Sequence, residues 1–117
     1  MSDYNRTPGI TTVAPGVLMT IARKAAMGVD GVKAVGRLTS GRGRSSGGRL
    51  SAGTRLVVQD GLITGDMYLV IKAGLNVREV CREVQNQAAR ALQEMAGMTV
   101  ARLDIHVEDI AYEGPEA

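Results

Sequence analysis

The sequence contains no tryptophan and no phenylalanine, and only one cysteine, one histidine and three prolines in 117 residues. Without large apolar rings, the core has to be assembled from Val, Leu, Ile, Met and Ala. A single thiol, Cys81, excludes an internal disulfide and fits a reducing compartment. The apolar runs are a few residues long, well short of the roughly 20 needed to span a bilayer as a helix. Met1 to Pro8 has no apolar segment of the kind a secretory signal requires, so the protein reads as cytoplasmic. Catalytic patterns are also missing: there is no G-x-S-x-G elbow, no obvious acid–base pair of carboxylates, and no set of acid, base and nucleophile. No enzyme activity, cofactor or metal is expected.

What is present is enough for one domain. A chain of this length buries about two-thirds of its unfolded surface without help from metals or cross-links. The net charge is only +2, but residues 1–59 carry nine basic and two acidic side chains (+7), whereas residues 60–117 carry five and ten (−5). Such a dipolar chain is suited to head-to-tail self-association or to an anionic partner, with two solvated faces as the alternative.

The strongest structural signal lies between Asn76 and Ala96. Asn76 is a good N-cap, and Glu79 follows at capping-box spacing. Val77, Val80, Val84, Ala88, Ala91, Leu92 and Met95 recur at helical intervals, and Gly97 stands where a left-handed C-cap is wanted. Before it, Gly9 to Val13 reads as a short edge strand and Pro15 opens a helix whose apolar face is Val17, Leu18, Ile21, Ala22 and Ala25. Gly28 ends that helix. Val32 to Leu38 reads as a strand, with Val32, Ala34, Gly36 and Leu38 on one side and Lys33, Val35 and Arg37 on the other. Asp60-Gly61 joins a strand over Arg55–Gln59 to one over Leu62–Ala73. In the latter, Ile63, Met67, Leu69 and Ile71 oppose Thr64, Asp66, Tyr68, Val70 and Lys72. Met98 to Ile110 is the last strand. The expected fold is α+β: a two-layer sandwich in β-α-β-β-β-α-β order, with a mostly antiparallel sheet and both helices on one face. Residues 1–8 are a flexible N-terminus, 9–111 the domain, and 112–117 an acidic tail.

Thr39 to Gly53 differs in kind. It is dominated by Gly, Ser and Arg, with Leu50 its only large apolar residue, and is expected to form a mobile loop. Its glycines (Gly41, Gly43, Gly47) approach a dinucleotide fingerprint, but no helix starts on them. Arg37, Arg42, Arg44, Arg49 and Arg55 form a candidate patch for nucleic acid, anions or lipid headgroups. The loop lacks aromatics to stack bases, and an ordinary soluble linker is the favoured reading. Gly28-Val29-Asp30-Gly31 matches the G-x-x-G of backbone-clamping loops, but it joins a helix to a strand and carries a repelling Asp30. Asp104, His106 and Glu108 share a strand face at ligand spacing, although a solvated face is the favoured reading. Cys81, near Arg78 and Arg82, reads as structural.

These pieces together resemble the family of alkaline shock protein 23 and general stress protein 24. The resemblance rests on ITTVAPGVLMTIARKAAMGVDGVKAVG, LVVQDGLITGDMYLVIKAGLNVREVCREVQ and ALQEMAGMTVARLDIHVEDI, and covers residues 9–110. The order of strand, Ala-Pro helix start, Gly-Val turn, hairpin, Gly-x-Asn helix start and final strand is similar. It implies a non-enzymatic protein of cell-envelope stress and homeostasis. Protein partners, a small membrane-anchor protein among them, and homo-oligomers would follow, with localisation in the cytoplasm at the inner face of the membrane. The 39–53 insert is variable in the family and inherits no role. The face bearing Tyr68, Val70 and Lys72 is the candidate partner surface, and nucleic-acid binding through the Arg patch is the alternative.

Overall fold

The computed structural model describes residues 9–36 and 53–112. The expectations for the N-terminus (1–8), for Arg37 and Leu38, for the Gly/Ser/Arg loop up to residue 52, and for the tail beyond Tyr112 lie outside the described residues.

Two helices and four strands follow in the order α1 (Pro15–Met27), β1 (Val32–Val35), β2 (Thr54–Gln59), β3 (Leu62–Lys72), α2 (Val77–Ala96) and β4 (Thr99–Ala111). The α+β class, with helices packed on one face of a sheet, is as the sequence predicts. Helix α2 begins where Asn76 Oδ1 accepts the Glu79 N–H at 3.0 Å, and it ends at Gly97 with φ of 70°. Its buried stripe is Val80, Val84, Ala88 and Leu92. Met95, placed by periodicity on the same stripe, is 71% exposed, because the stripe of Val84, Ala88 and Leu92 continues four residues on at Ala96, which packs against the core. Helix α1 has Pro15 at its first turn and no side-chain cap. It buries Leu18, Ala22 and Ala26, a narrower stripe than expected, and Val17 stays exposed.

The expected strand over Gly9–Val13 does not form. β-propensity supplies no partner, and Ile10 is left exposed.

Strand β3 organises the sheet. Along one edge it pairs in parallel with β4 over its whole length, Leu62 to Lys72. Along the other edge, β2 pairs antiparallel with Leu62–Met67 and β1 pairs antiparallel with Leu69–Ile71. β1 and β2 are therefore collinear, two halves of one interrupted strand. The parallel pair follows from β3–α2–β4 being a crossover unit with the helix as its connection.

Strand parity decides what is buried. Ile63, Met67, Leu69 and Ile71 point into the core with Leu18, Val84 and Leu92, as the alternation of β3 predicts. Each such side chain contributes roughly 1.5–3 kcal/mol by leaving water. In β1 the alternation expected from the sequence is interrupted. Val32 pairs with Ile71, Ala34 with Val70 and Val35 with Leu69, so Lys33 is a bulge. Val35 accordingly packs against the core and Ala34 turns to the opposite face. Two more bulges interrupt β4, at Ala101 and Glu108.

The Asp60-Gly61 hairpin is tight: both residues have positive φ, 54° and 77°, as a two-residue type I′ turn requires.

Two positions in the hairpin make opposite predictions. Thr54 is fully buried, and its Oγ1 has no hydrogen-bond partner among the described residues. Thr54→Val removes an unpaired hydroxyl at constant shape and is expected to raise stability by about 1 kcal/mol, read as a higher urea midpoint. At Gly65, an added Cβ would come within 2.5 Å of Leu56 Cδ2 and closer still to the Arg55 carbonyl. Gly65→Ala is expected to cost about 1–3 kcal/mol in the same titration.

Candidate interaction surface

The helices cover one face of the sheet and leave the other to solvent among the described residues. Parity and register bring Arg55 and Val57 of β2, Asp66, Tyr68, Val70 and Lys72 of β3, and Arg102, Asp104, His106 and Asp109 of β4 onto this open face. The three residues expected to form a partner surface are thus on one strand face. Lys72 is exposed, Tyr68 is half-buried and Val70 is only 7% exposed.

The centre of the face is a connected polar cluster. Asp66 Oδ1 lies 2.9 Å from His106 Nε2, and Asp66 Oδ2 accepts from Arg55 Nη2 at 3.2 Å. An ionised carboxylate can only accept, so Nε2 of His106 carries the proton. The His106 ring in turn stacks on Tyr68, with centroids 4.7 Å apart and planes 19° from parallel. The hydrogen bond from His106, together with Arg55, holds the Asp66 carboxyl below its usual range, against the opposing effect of burial. Beside it, Arg102 Nε bonds to Asp104 Oδ1 at 3.0 Å. The Asp104 carboxylate raises the already high pKa of Arg102. These charges frame an open depression of about 530 Å³ that includes Val57 and Thr64.

Tyr68 also marks where the chain leaves the sheet. Its carbonyl accepts the Gly36 N–H at 2.8 Å, and its own N–H donates to the Gly53 carbonyl at 2.9 Å. Gly53 has φ of 78°, and a Cβ there would collide with the Gly36 backbone. Gly36 and Gly53, the residues that flank the 37–52 segment, therefore meet at Tyr68.

Of the five-arginine patch, Arg37, Arg42, Arg44 and Arg49 lie outside the described residues. Arg55 is described, and its guanidinium is engaged by Asp66. The supposed face of Asp104, His106 and Glu108 is broken: Glu108 occupies a bulge, so Asp109, not Glu108, continues the row. Among the described residues no three His, Cys, Asp or Glu gather closely enough to hold a metal. Burial pushes the Cys81 thiol up, so the nearby arginines do not activate it. No described helix is long and apolar enough to cross a membrane. The Asp66–His106 contact escaped the sequence reading. Parity puts both on open-face positions, but only a parallel register of β3 on β4 makes them neighbours.

The chain is similar to two bacterial proteins, both uncharacterized. Spy1535 of Streptococcus pyogenes serotype M6 is 30% identical over 108 residues, covering 90% of this chain and 81% of that protein. YqhY of Bacillus subtilis is 29% identical over 110 residues, covering 90% and 79%. In fold it is similar to MamM CTD variants. A zinc form superposes with a TM-score of 0.53 over 80% of this chain and 84% of the other. A manganese form gives 0.54 over 80% and 96%. Identity is 16% in both, so the likeness extends to the fold alone, and the zinc and manganese belong to those proteins. A model of the alkaline shock protein 23 family, described as having a cell envelope-related function, matches residues 3–112.

The Asp66 cluster gives stability a pH dependence of defined sign. A carboxyl whose pKa is lower folded than unfolded stabilises the fold above the unfolded value, and that contribution is lost as pH falls through the folded value. Stability is therefore expected to fall as pH drops below the ordinary value of 3.8. Asp66→Asn should flatten this acid limb while costing about 1 kcal/mol or less at neutral pH, since the partners are half-exposed. Urea titrations at a series of pH values check both.

Proposed function

The chain belongs to the alkaline shock protein 23 family, whose function is cell envelope-related, and from that membership we propose that it is a non-enzymatic binding protein of the envelope. It docks a protein partner on the open face of its sheet and associates with further copies of itself. The observation that carries this reading is the open face itself. One whole side of the sheet is left uncovered among the described residues, and it presents ordered side chains rather than a deep catalytic cleft. The polar groups at its centre are already paired: Arg55 with Asp66, Asp66 with His106, Arg102 with Asp104. Pre-ordered side chains lose little entropy on docking, which favours binding over catalysis as their use. Tyr68 and Lys72 are the contact residues of this reading, with Tyr68 supplying aromatic surface and Lys72 an exposed cation. Attachment to the membrane would run through an anchoring partner at its inner face, and no cofactor takes part.

The test is a tagged pull-down from the native host, with and without nuclease, comparing wild type with the Tyr68→Ala/Lys72→Glu double variant. A nuclease-resistant envelope protein is expected with the wild type and lost with the double variant. The single Lys72→Glu, at an exposed position, separates loss of contact from loss of fold. An envelope protein captured equally by all three would overturn the surface. Partners that vanish with nuclease would overturn the protein-binding reading itself in favour of a nucleic-acid module.

A further inference from the structure

The two edges of the sheet that no described strand covers are built differently. β4 is long, but its outer edge is blunted. Bulges at Ala101 and Glu108 break its line. Gln85 Nε2 reaches from α2 to cap the Leu103 carbonyl at 3.0 Å, and Asp109 Oδ1 caps the Ile110 N–H at 2.8 Å. Acidic side chains at Asp104, Glu108 and Asp109 add repulsion. These are the devices by which sheets avoid pairing at an edge. β2 has none of them. Its six residues run in unbroken register against β3, without proline, lysine or bulge.

The ladder shows which backbone groups of β2 are unpaired. The Gly53 carbonyl bonds to Tyr68 N–H, and Gln59 pairs with Leu62 across the two-residue turn. In an antiparallel ladder, bonded and non-bonded residues alternate. Arg55, Val57 and Gln59 therefore bond to β3, and Thr54, Leu56 and Val58 turn their N–H and C=O groups to the other side. Thr54 is fully buried, which leaves Leu56 (9% exposed) and Val58 (41% exposed) as the groups without a strand partner among the described residues. The side chains are equally unfinished. Val57 is 52% exposed on the open face, and Val58 is 41% exposed on the helix face although its neighbour Ile63 is fully buried.

We propose that β2 is a self-pairing edge, across which two copies of this chain join antiparallel into one continuous sheet with Val57 on the two-fold axis. The occupant follows from the sequence of the edge. In the register centred on Val57, Val57 meets Val57 of the second copy. Leu56 meets the second copy's Val58, and Arg55 meets its Gln59. Every cross-strand pair joins side chains of the same face, apolar opposite apolar at Val57 and at Leu56–Val58 and polar opposite polar at Arg55–Gln59, and no like charges oppose one another. The outward N–H and C=O groups of Leu56 and Val58 fall in this register as bonded pairs, giving four new hydrogen bonds around the axis. This identifies the surface for the self-association proposed above and rests on it. The open face that docks a foreign partner stays free, because pairing extends the sheet in its own plane.

The experiment uses the full chain. Sedimentation equilibrium from low micromolar to near-millimolar concentration is expected to show a monomer–dimer equilibrium. Val57→Lys places two cations against each other at the axis and should weaken the dimer at least about tenfold, with the fold checked by circular dichroism. In a Cys81→Ser background, Val57→Cys should yield a disulfide-linked dimer under mild oxidation, since a non-bonded antiparallel pair brings Cα atoms to about 4.5 Å. Val107→Cys on the β4 edge in the same background should not. If Val57→Lys unfolds the chain, the cysteine pair decides alone. A wild type that stays monomeric throughout overturns both the edge and self-association, whatever other strands it captures. A dimer that Val57→Lys leaves intact, or that links through Val107→Cys rather than Val57→Cys, overturns the edge alone.

Discussion

The register of β3 is the constraint on which the rest of the molecule depends. This strand bonds to others along both edges, and its inner side chains Ile63, Met67, Leu69 and Ile71 are fully buried. A shift of one residue would expose all four and bury Asp66, Tyr68 and Lys72 in their place. Three features hold the register. The Asp60-Gly61 turn fixes β2 against its first half. The turn through Gly74 to Asn76 fixes where α2 starts, and α2 then delivers β4 at Thr99, opposite Leu62. Each of these is local chemistry with a long-range consequence.

That distinction separates what the sequence discloses from what it hides. Asn76 and Gly97 bound α2 through hydrogen bonding and a left-handed backbone, both properties of a few residues, and both are legible. The same holds for the hairpin turn and for the two faces of β3. The bulges at Lys33, Ala101 and Glu108 are not legible, since nothing in their own composition demands an extra residue. Their cost is met by partners far along the chain. Each bulge inverts the parity beyond it, so strict alternation puts Val35 on the wrong face and groups Glu108 with Asp104 and His106. The strand expected at Gly9–Val13 failed for a related reason: propensity is local, but a strand exists only with a neighbour. The parallel β3–β4 pair was within reach, because a strand, a helix and a strand joined by short links make a crossover unit.

The site was legible to the same degree. Parity alone placed Tyr68, Val70 and Lys72 together. It could not show that Tyr68 stacks on His106, or that Asp66 is held between His106 and Arg55, because those contacts span two strand pairings. They also change what the face offers. Arg55, Asp66 and His106, whose charges look free in a sequence, are already matched across the sheet.

The position of the basic insert follows from the same ladder. Tyr68 donates to Gly53 and accepts from Gly36, so the backbone of the central strand is satisfied at the point where the other edge is interrupted. No residue of the 37–52 segment is needed to complete that ladder. The two glycines touch closely enough that a side chain on Gly53 would strike Gly36, which lets the edge strand be cut without opening a gap. A segment attached in this way is free to differ in length and charge while the fold beneath it stays constant. Its composition, rich in Gly, Ser and Arg and poor in apolar residues, sets it apart from the stretches that build the described core.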